Sequence, residues 1–145
     1  VFEPRKLEAW SVTTDKFYGH GYVLTGNVTE FLDPIFSSGV MFASVSSHLA
    51  SLMVIRKLKG EKVDWNTDYT EFIRQGVDTF RTFVIAWYDG TLERIFYSEN
   101  PNPIIKSQIC SVLAGYVWDQ KNPFVRAHEK ALKGLVKVID SQNVK

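Results

Sequence analysis

The sequence predicts a mainly α-helical chain with a short β segment near its start. Three observations carry this. Apolar residues recur at helical spacing from Tyr69 to Tyr88. Pro103 and Pro123, each preceded by Asn, open two more apolar-periodic runs, as proline in a first helical turn does. The β-rich words lie before residue 26: Glu8-Ala9-Trp10-Ser11-Val12-Thr13-Thr14, then Tyr22-Val23-Leu24 between glycines.

Taken in order, Tyr22-Val23-Leu24 reads as an interior strand, after a break from Asp15 to Gly21. Two strands alone are not stable in water, so they are expected to complete a larger sheet. Asp33-Pro34 forces an extended turn, because proline excludes the helical region for the residue before it. A helix is expected from Ser38 to Leu58, capped by Ser37 or Ser38 and stopped by Gly60. Its small residues, around Ala43 and Ser47, allow a backbone or a cofactor to approach closely. The next helix is capped by Asn66 or Thr67, with Asp68 and Glu71 in its first turn. Its apolar positions include Tyr69, Ile73, Val77, Phe80, Val84 and Trp87. Asp89-Gly90 punctuates it, and helix resumes over 91–97. Asn100-Pro101-Asn102-Pro103 is a break. Helices then follow Pro103 and Pro123, the last fraying from Asp140.

Composition excludes several classes. The chain has 145 residues, enough for one domain, and a net charge of +1. Its cations are spread out rather than striped, so no nucleic-acid surface is expected. Arg56-Lys57-Leu58-Lys59 reads as a helix end whose cations face the last carbonyls. No apolar stretch reads as long enough to span a membrane. Cys110 is alone, which fits a reducing, cytoplasmic compartment. His20, His48 and His128 lack ligand spacing, so no metal is expected. Asp33 before proline reads as a turn former rather than a base. Trp87, Tyr88, Tyr116 and Trp118 either line a substrate cavity or form helical core.

The run from Gly19 to Val40 joins these pieces into one pattern. It consists of an apolar strand, Gly26-Asn27, a few residues, Asp33-Pro34-Ile35-Phe36, then Ser37-Ser38-Gly39-Val40 at a helix start. This run resembles the second flavin-binding motif of the FAD-dependent monooxygenase and halogenase superfamily. Within it, the stretch from Asp33 to Val40 is most similar to flavin-dependent halogenases and related oxidoreductases. Ala86-Trp87-Tyr88-Asp89-Gly90 and Ala114-Gly115-Tyr116-Val117-Trp118-Asp119 resemble that group's C-terminal helical region. Asn27 stands where the family usually has Asp, which accepts hydrogen bonds from the ribityl hydroxyls. Asparagine keeps an acceptor, adds a donor and loses the charge. Phe36 stands where tryptophan halogenases carry Glu. No Gly-x-Gly-x-x-Gly, no Trp-x-Trp-x-Ile-Pro word and no counterpart of the catalytic lysine is present.

The resemblance implies an α+β organisation in which residues 1–40 end an FAD-binding fold and residues 41–145 form a C-terminal helical region. It implies that Gly26, Asn27, Asp33, Pro34, Ser38, Gly39 and Val40 contact the flavin. It also places halide capture at the backbone N–H groups of Ser38 and Gly39. No catalytic residue is assigned. In such enzymes reduced flavin activates oxygen, halide is oxidised to hypohalous acid, and a flavin reductase can supply the electrons. The expected partners are a preceding FAD-binding region, a small-molecule substrate and a halide. The isolated chain is expected to be inactive, to hold no tight FAD and to self-associate. The alternatives are a flavin dehydrogenase, reductase or hydroxylase without halide, or a non-catalytic helical interaction module.

Overall fold

The computed structural model describes residues 3, 11–98 and 102–143. The expected strand over 8–14 lies partly outside them, as do Asn100 and Pro101 of the Asn-Pro break. The fold is mainly α with short β segments, as the sequence predicts. The chain divides into two compact units, Val1–Thr70 and Glu71–Lys145.

In the first unit the strands are two-residue stubs. Strand β1 (Val12–Thr13) pairs antiparallel with β4 (Glu30–Phe31), and β2 (Tyr18–Gly19) with β3 (Tyr22–Val23). The interior-strand reading of Tyr22-Val23-Leu24 is therefore corrected. Tyr22 is exposed, and the apolar word is one arm of a hairpin stub closed by Leu24 N–H donating to Phe17 O at 2.7 Å. Phe17 is the ring that this hairpin buries. Strand β4 was not foreseen. Buried Glu30 is held in it by the Thr13 hydroxyl, which donates to Oε1 at 2.8 Å.

Helix α1 (Ser38–Leu58) buries Phe42, Ser46, Ala50 and Met53. It ends as expected: Gly60 takes a positive φ of 82°, its N–H bonds Lys57 O, and Glu61 N–H bonds Arg56 O. These two bonds satisfy the last carbonyls in a Schellman arrangement. Two expectations fail here. Neither serine caps the start, because Ser37 itself lies in the left-handed region (φ 53°, ψ 33°) and makes no side-chain cap bond. By length and composition, α1 is also long and apolar enough to cross a membrane. Serines and one histidine interrupt the apolar run without lowering its mean enough to exclude it.

The expected Asn66 or Thr67 cap is supplied one turn earlier. Asp64 Oδ1 accepts from the N–H groups of Thr67 (3.2 Å) and Asn66 (2.9 Å), and these bonds, Thr67's foremost, hold its carboxyl below the usual range. A π-helical turn, Asn66–Glu71, follows.

In the second unit α2 (Phe72–Tyr88) buries Ile73, Gly76, Val77, Phe80, Phe83 and Val84, as the spacing predicts. It packs on α3 (Thr91–Phe96), α4 (Pro103–Leu113) and α6 (His128–Asn143). Asn102 caps α4, accepting from Ile104 N–H at 2.9 Å and Ile105 N–H at 3.3 Å. The single helix expected after Pro123 is two: α5 (Pro123–Arg126) stops at Ala127, whose backbone leaves the helical region (φ −143°, ψ 48°), and α6 begins at His128. Helix α6 continues past Asp140, where fraying was expected, to Asn143. Asn122 joins α4 to α5. Its amide donates to Gln108 O at 2.8 Å while its Oδ1 accepts from Phe124 N–H at 2.9 Å.

Candidate functional site: the recess at the start of helix α1

The site is built by two turns and one helix of the first unit. Gly26 takes a φ of +66° and opens a 3₁₀ turn, Gly26–Val28, closed by Thr29 N–H and hydroxyl onto Gly26 O at 3.0 and 2.7 Å. Gly26 N–H donates to the Ser46 hydroxyl of α1 at 2.8 Å in a buried contact. A Cβ on Gly26 would stand 3.2 Å from that of Ala43, so the turn lies hard against the helix. Tyr69 secures the strand before it, its hydroxyl donating to Leu24 O at 2.5 Å. Burial pushes the Tyr69 phenol up to about 12, although the Ser46 hydroxyl beside it pulls the other way.

This anchoring sets the Asn27 side chain over the first turn of α1. A Cβ on Gly39 would lie 2.9 Å from Asn27 Oδ1 and 3.6 Å from Nδ2. Glycine leaves room for the amide here, and a side chain at 39 would turn it aside. The second turn is made by Asp33-Pro34. Asp33 Oδ1 accepts from Ile35 N–H at 2.7 Å, and Ser37 N–H donates to Pro34 O at 3.0 Å. Asp33 is thus a turn former, as its place before proline predicts.

Asn27, Pro34, Ser37, Gly39, Val40 and Ala43 line a recess of about 320 Å³. Four of the expected contact residues, Asn27, Pro34, Gly39 and Val40, meet in it. Gly26 stands behind the wall, Asp33 shapes the turn, and the Ser38 side chain is buried. Only the Ser38 backbone is therefore available as a donor. The first-turn N–H groups of a helix lack intrahelical partners and carry the positive end of its dipole. No carboxylate lines the recess to oppose an anion. The donors and the amide of Asn27 suit an electronegative atom or a small anion.

Sequence reading missed Ser46 and Tyr69 as parts of this site, and read Ser37 as a cap and Ala43 only as a small residue of the helix. Ser46 bonds back to Ala43 O at 3.3 Å as helical serines do, so nothing local sets it apart from Ser44 and Ser51. Nothing local marks Ser37 for positive φ. The four aromatics of the second unit do not act together. Trp87, Tyr88 and Tyr116 are exposed, while Trp118 stacks on Phe72 at 5.0 Å and donates to its carbonyl at 2.8 Å. Trp87 instead lines a separate recess with Glu93, Phe96, Tyr97 and Lys106. Among the described residues no three His, Cys, Asp or Glu side chains gather to hold a metal.

No protein-family model matches the chain. It is 32% identical over 121 residues to the 1H-pyrrole-2-carbonyl-(peptidyl-carrier protein) chlorinase of Pseudomonas fluorescens, a match covering 81% of this chain and 26% of that protein. It is 25% identical over 122 residues to the corresponding brominase of Pseudoalteromonas luteoviolacea, covering 82% of this chain and 29% of the brominase. The crystal structure of a flavoprotein/dehydrogenase from Cytophaga hutchinsonii superimposes with a TM-score of 0.92 at 54% identity, over 99% of this chain and 35% of that one. The chain is therefore a relative of the flavin-dependent halogenase-like oxidoreductases. Within that group it resembles carrier-protein halogenases in sequence, and a flavoprotein/dehydrogenase in both sequence and fold. It spans roughly a quarter to a third of the relatives it matches.

Proposed function

We propose that this chain is the C-terminal part of an FAD-dependent oxidoreductase of halogenase type, supplying a flavin- and halide-contacting turn and a helical wall beside the substrate. One observation carries the reading: in a relative of flavoproteins, the Asn27 amide lies against Gly39 at the first turn of α1, and Asn27, Gly39 and Val40 line one recess that no carboxylate lines. FAD, when bound, supplies the oxygen activation such oxidations need. The protein's part here is positional. Asn27 offers one acceptor and two donors to ring or ribityl polar atoms. The α1 dipole holds negative charge at the recess without reorganisation. Pro34 and the left-handed Ser37 fix the mouth. A halide would rest on the N–H groups of Ser38 and Gly39. The exposed, unpaired Cys110 goes with a reducing, cytoplasmic setting.

A second reading keeps the flavin and drops the halide. The 54% identity to a flavoprotein/dehydrogenase favours it. The two separate in one experiment on the full-length protein: reduced flavin, oxygen and candidate substrates, with and without chloride or bromide. Halogenated product that requires the halide supports the first reading. Flavin oxidation or substrate dehydrogenation indifferent to halide supports the second. A full-length protein that binds no FAD at all removes both and leaves a helical interaction module.

A further inference from the structure

The residues that lead into Asn27 are held on their backbone polar groups to an unusual degree. Leu24 N–H donates to Phe17 O at 2.7 Å, and Leu24 O accepts from the Tyr69 hydroxyl at 2.5 Å. Gly26 N–H donates to Ser46 Oγ at 2.8 Å, and Gly26 O accepts from the Thr29 N–H and hydroxyl at 3.0 and 2.7 Å. Connecting segments run over the surface and commonly leave such groups to water. Ser46 and Tyr69 reach this one from elements distant in sequence, and both are wholly buried. They are also joined to each other, since the Ser46 hydroxyl bonds the Tyr69 oxygen. Gly26 N–H, Ser46, Tyr69 and Leu24 O thus close a ring of hydrogen bonds around Thr25. The Tyr69 ring is held in place in turn. Trp65 meets it edge-on at 6.0 Å and is itself stacked on Tyr18 at 6.3 Å. Tyr69 belongs to the π-helical turn Asn66–Glu71, and such turns are frequent at functional sites.

We propose that Ser46 and Tyr69 are positioning residues for the recess, a two-hydroxyl clamp that fixes Leu24 and Gly26 and thereby aims the Asn27 amide at its ligand. This inference rests on the reading of the recess as a flavin contact. Asn27 is the first residue after the clamp, and its Oδ1 stands 2.9 Å from where a Cβ of Gly39 would be. Asn27 is itself exposed, so burial does not orient it, and its aim is inherited from the backbone at Gly26. Neither Ser46 nor Tyr69 lines the recess, so each acts on a ligand only through Asn27. A pair that merely satisfied buried backbone groups would contribute stability and leave ligand affinity alone. A clamp contributes both.

The deciding experiment is a double-mutant cycle on FAD affinity in the full-length protein, titrating the apoprotein with FAD and checking folding by circular dichroism. Ser46→Ala is expected to weaken FAD binding about ten-fold and to shift the visible bands of the bound flavin. Added to Asn27→Ala it should weaken binding no further, because it works through that amide. Asn27→Ser takes the place of Asn27→Ala should alanine leave too little binding to titrate. Asn122→Ala, a destabilising change in the second unit, should leave affinity and spectrum as they are. Should Ser46→Ala not fold, Tyr69→Phe, which removes a single oxygen, carries the same cycle with the same criteria. A folded Ser46→Ala protein with wild-type affinity and spectrum overturns the proposal, whatever its stability. Losses that multiply in the double variant overturn it too, since Ser46 would then act apart from Asn27. So does an equal loss in Asn122→Ala, since affinity would then follow stability. A wild-type protein that binds no FAD removes the flavin reading and the clamp's purpose with it, whereas normal FAD binding in the wild type and in the clamp variants removes the clamp alone.

Discussion

Replacing Gly76 with alanine should destabilise the protein even though alanine is the better helix former. Gly76 is buried in α2 beneath the indole of Trp118. A Cβ there would stand 2.4 Å from Cζ2 and 2.8 Å from Nε1. Ring atoms cannot yield locally, so the whole indole must move. It would lose its hydrogen bond to Phe72 O, about 1 kcal/mol. It would also lose its stacking on Phe72, now at 5.0 Å and 2° between planes, about another 1 kcal/mol. Apolar area uncovered by the shift adds to these losses. Against them, alanine gains about 1 kcal/mol of helix propensity over glycine. The net expectation is a loss of about 1–2 kcal/mol in Gly76→Ala. In a Trp118→Ala background the clash is gone and only propensity remains, so the same substitution should stabilise by about 0.5–1 kcal/mol. Urea unfolding followed by circular dichroism on the four proteins measures this cycle. A loss of equal size in both backgrounds would refute the stacking argument, as would a gain in both.

Three further outcomes follow from the same geometry. The Tyr69 phenol is held above its ordinary value, so the stability it contributes is complete below pH 10 and is lost as pH rises through about 12; alkaline unfolding should begin in that window, and Tyr69→Phe should flatten it while costing about 1 kcal/mol at neutral pH. Asn122→Ala should cost about 2–3 kcal/mol by thermal or urea unfolding, because it removes the cap of α5 and leaves Gln108 O without that donor, whereas Asn102→Ala at the exposed cap of α4 should cost about 1. The isolated chain should elute from gel filtration without a flavin spectrum, and a flavin that stayed bound would show that the recess is a complete site by itself.

The helices were legible because their signals are local. Pro103 and Pro123 at first turns, Gly60 past a last turn, and the Tyr69-to-Val84 spacing each dictate the backbone within a few residues. The strands were not, because two-residue pairings are fixed by long-range contacts such as Thr13 with Glu30 rather than by alternation. The caps were misread by position. Asp64 outcompetes Asn66 and Thr67, and Ser37 is carried into the left-handed region by the Pro34 turn instead of folding back onto the helix. In the site, the motif named both Asn27 and Gly39, which lie against each other. It did not reveal that the two meet through Ser46, whose hydroxyl pins Gly26 to α1 from a place nineteen residues after Asn27.

The central claim is that the backbone of the first turn of α1, opened by Gly39, holds the flavin edge. The most direct measurement is flavin occupancy and turnover of the full-length protein carrying Gly39→Val, beside Ser38→Ala. Valine would displace the Asn27 amide and fill the recess, whereas the Ser38 side chain is buried and the N-cap position belongs to Ser37, so its removal leaves the N–H groups in place. The expected result is loss of bound FAD and of turnover in Gly39→Val, with both largely retained in Ser38→Ala. Full flavin occupancy and turnover in Gly39→Val would contradict the claim and leave the turn a purely structural helix start.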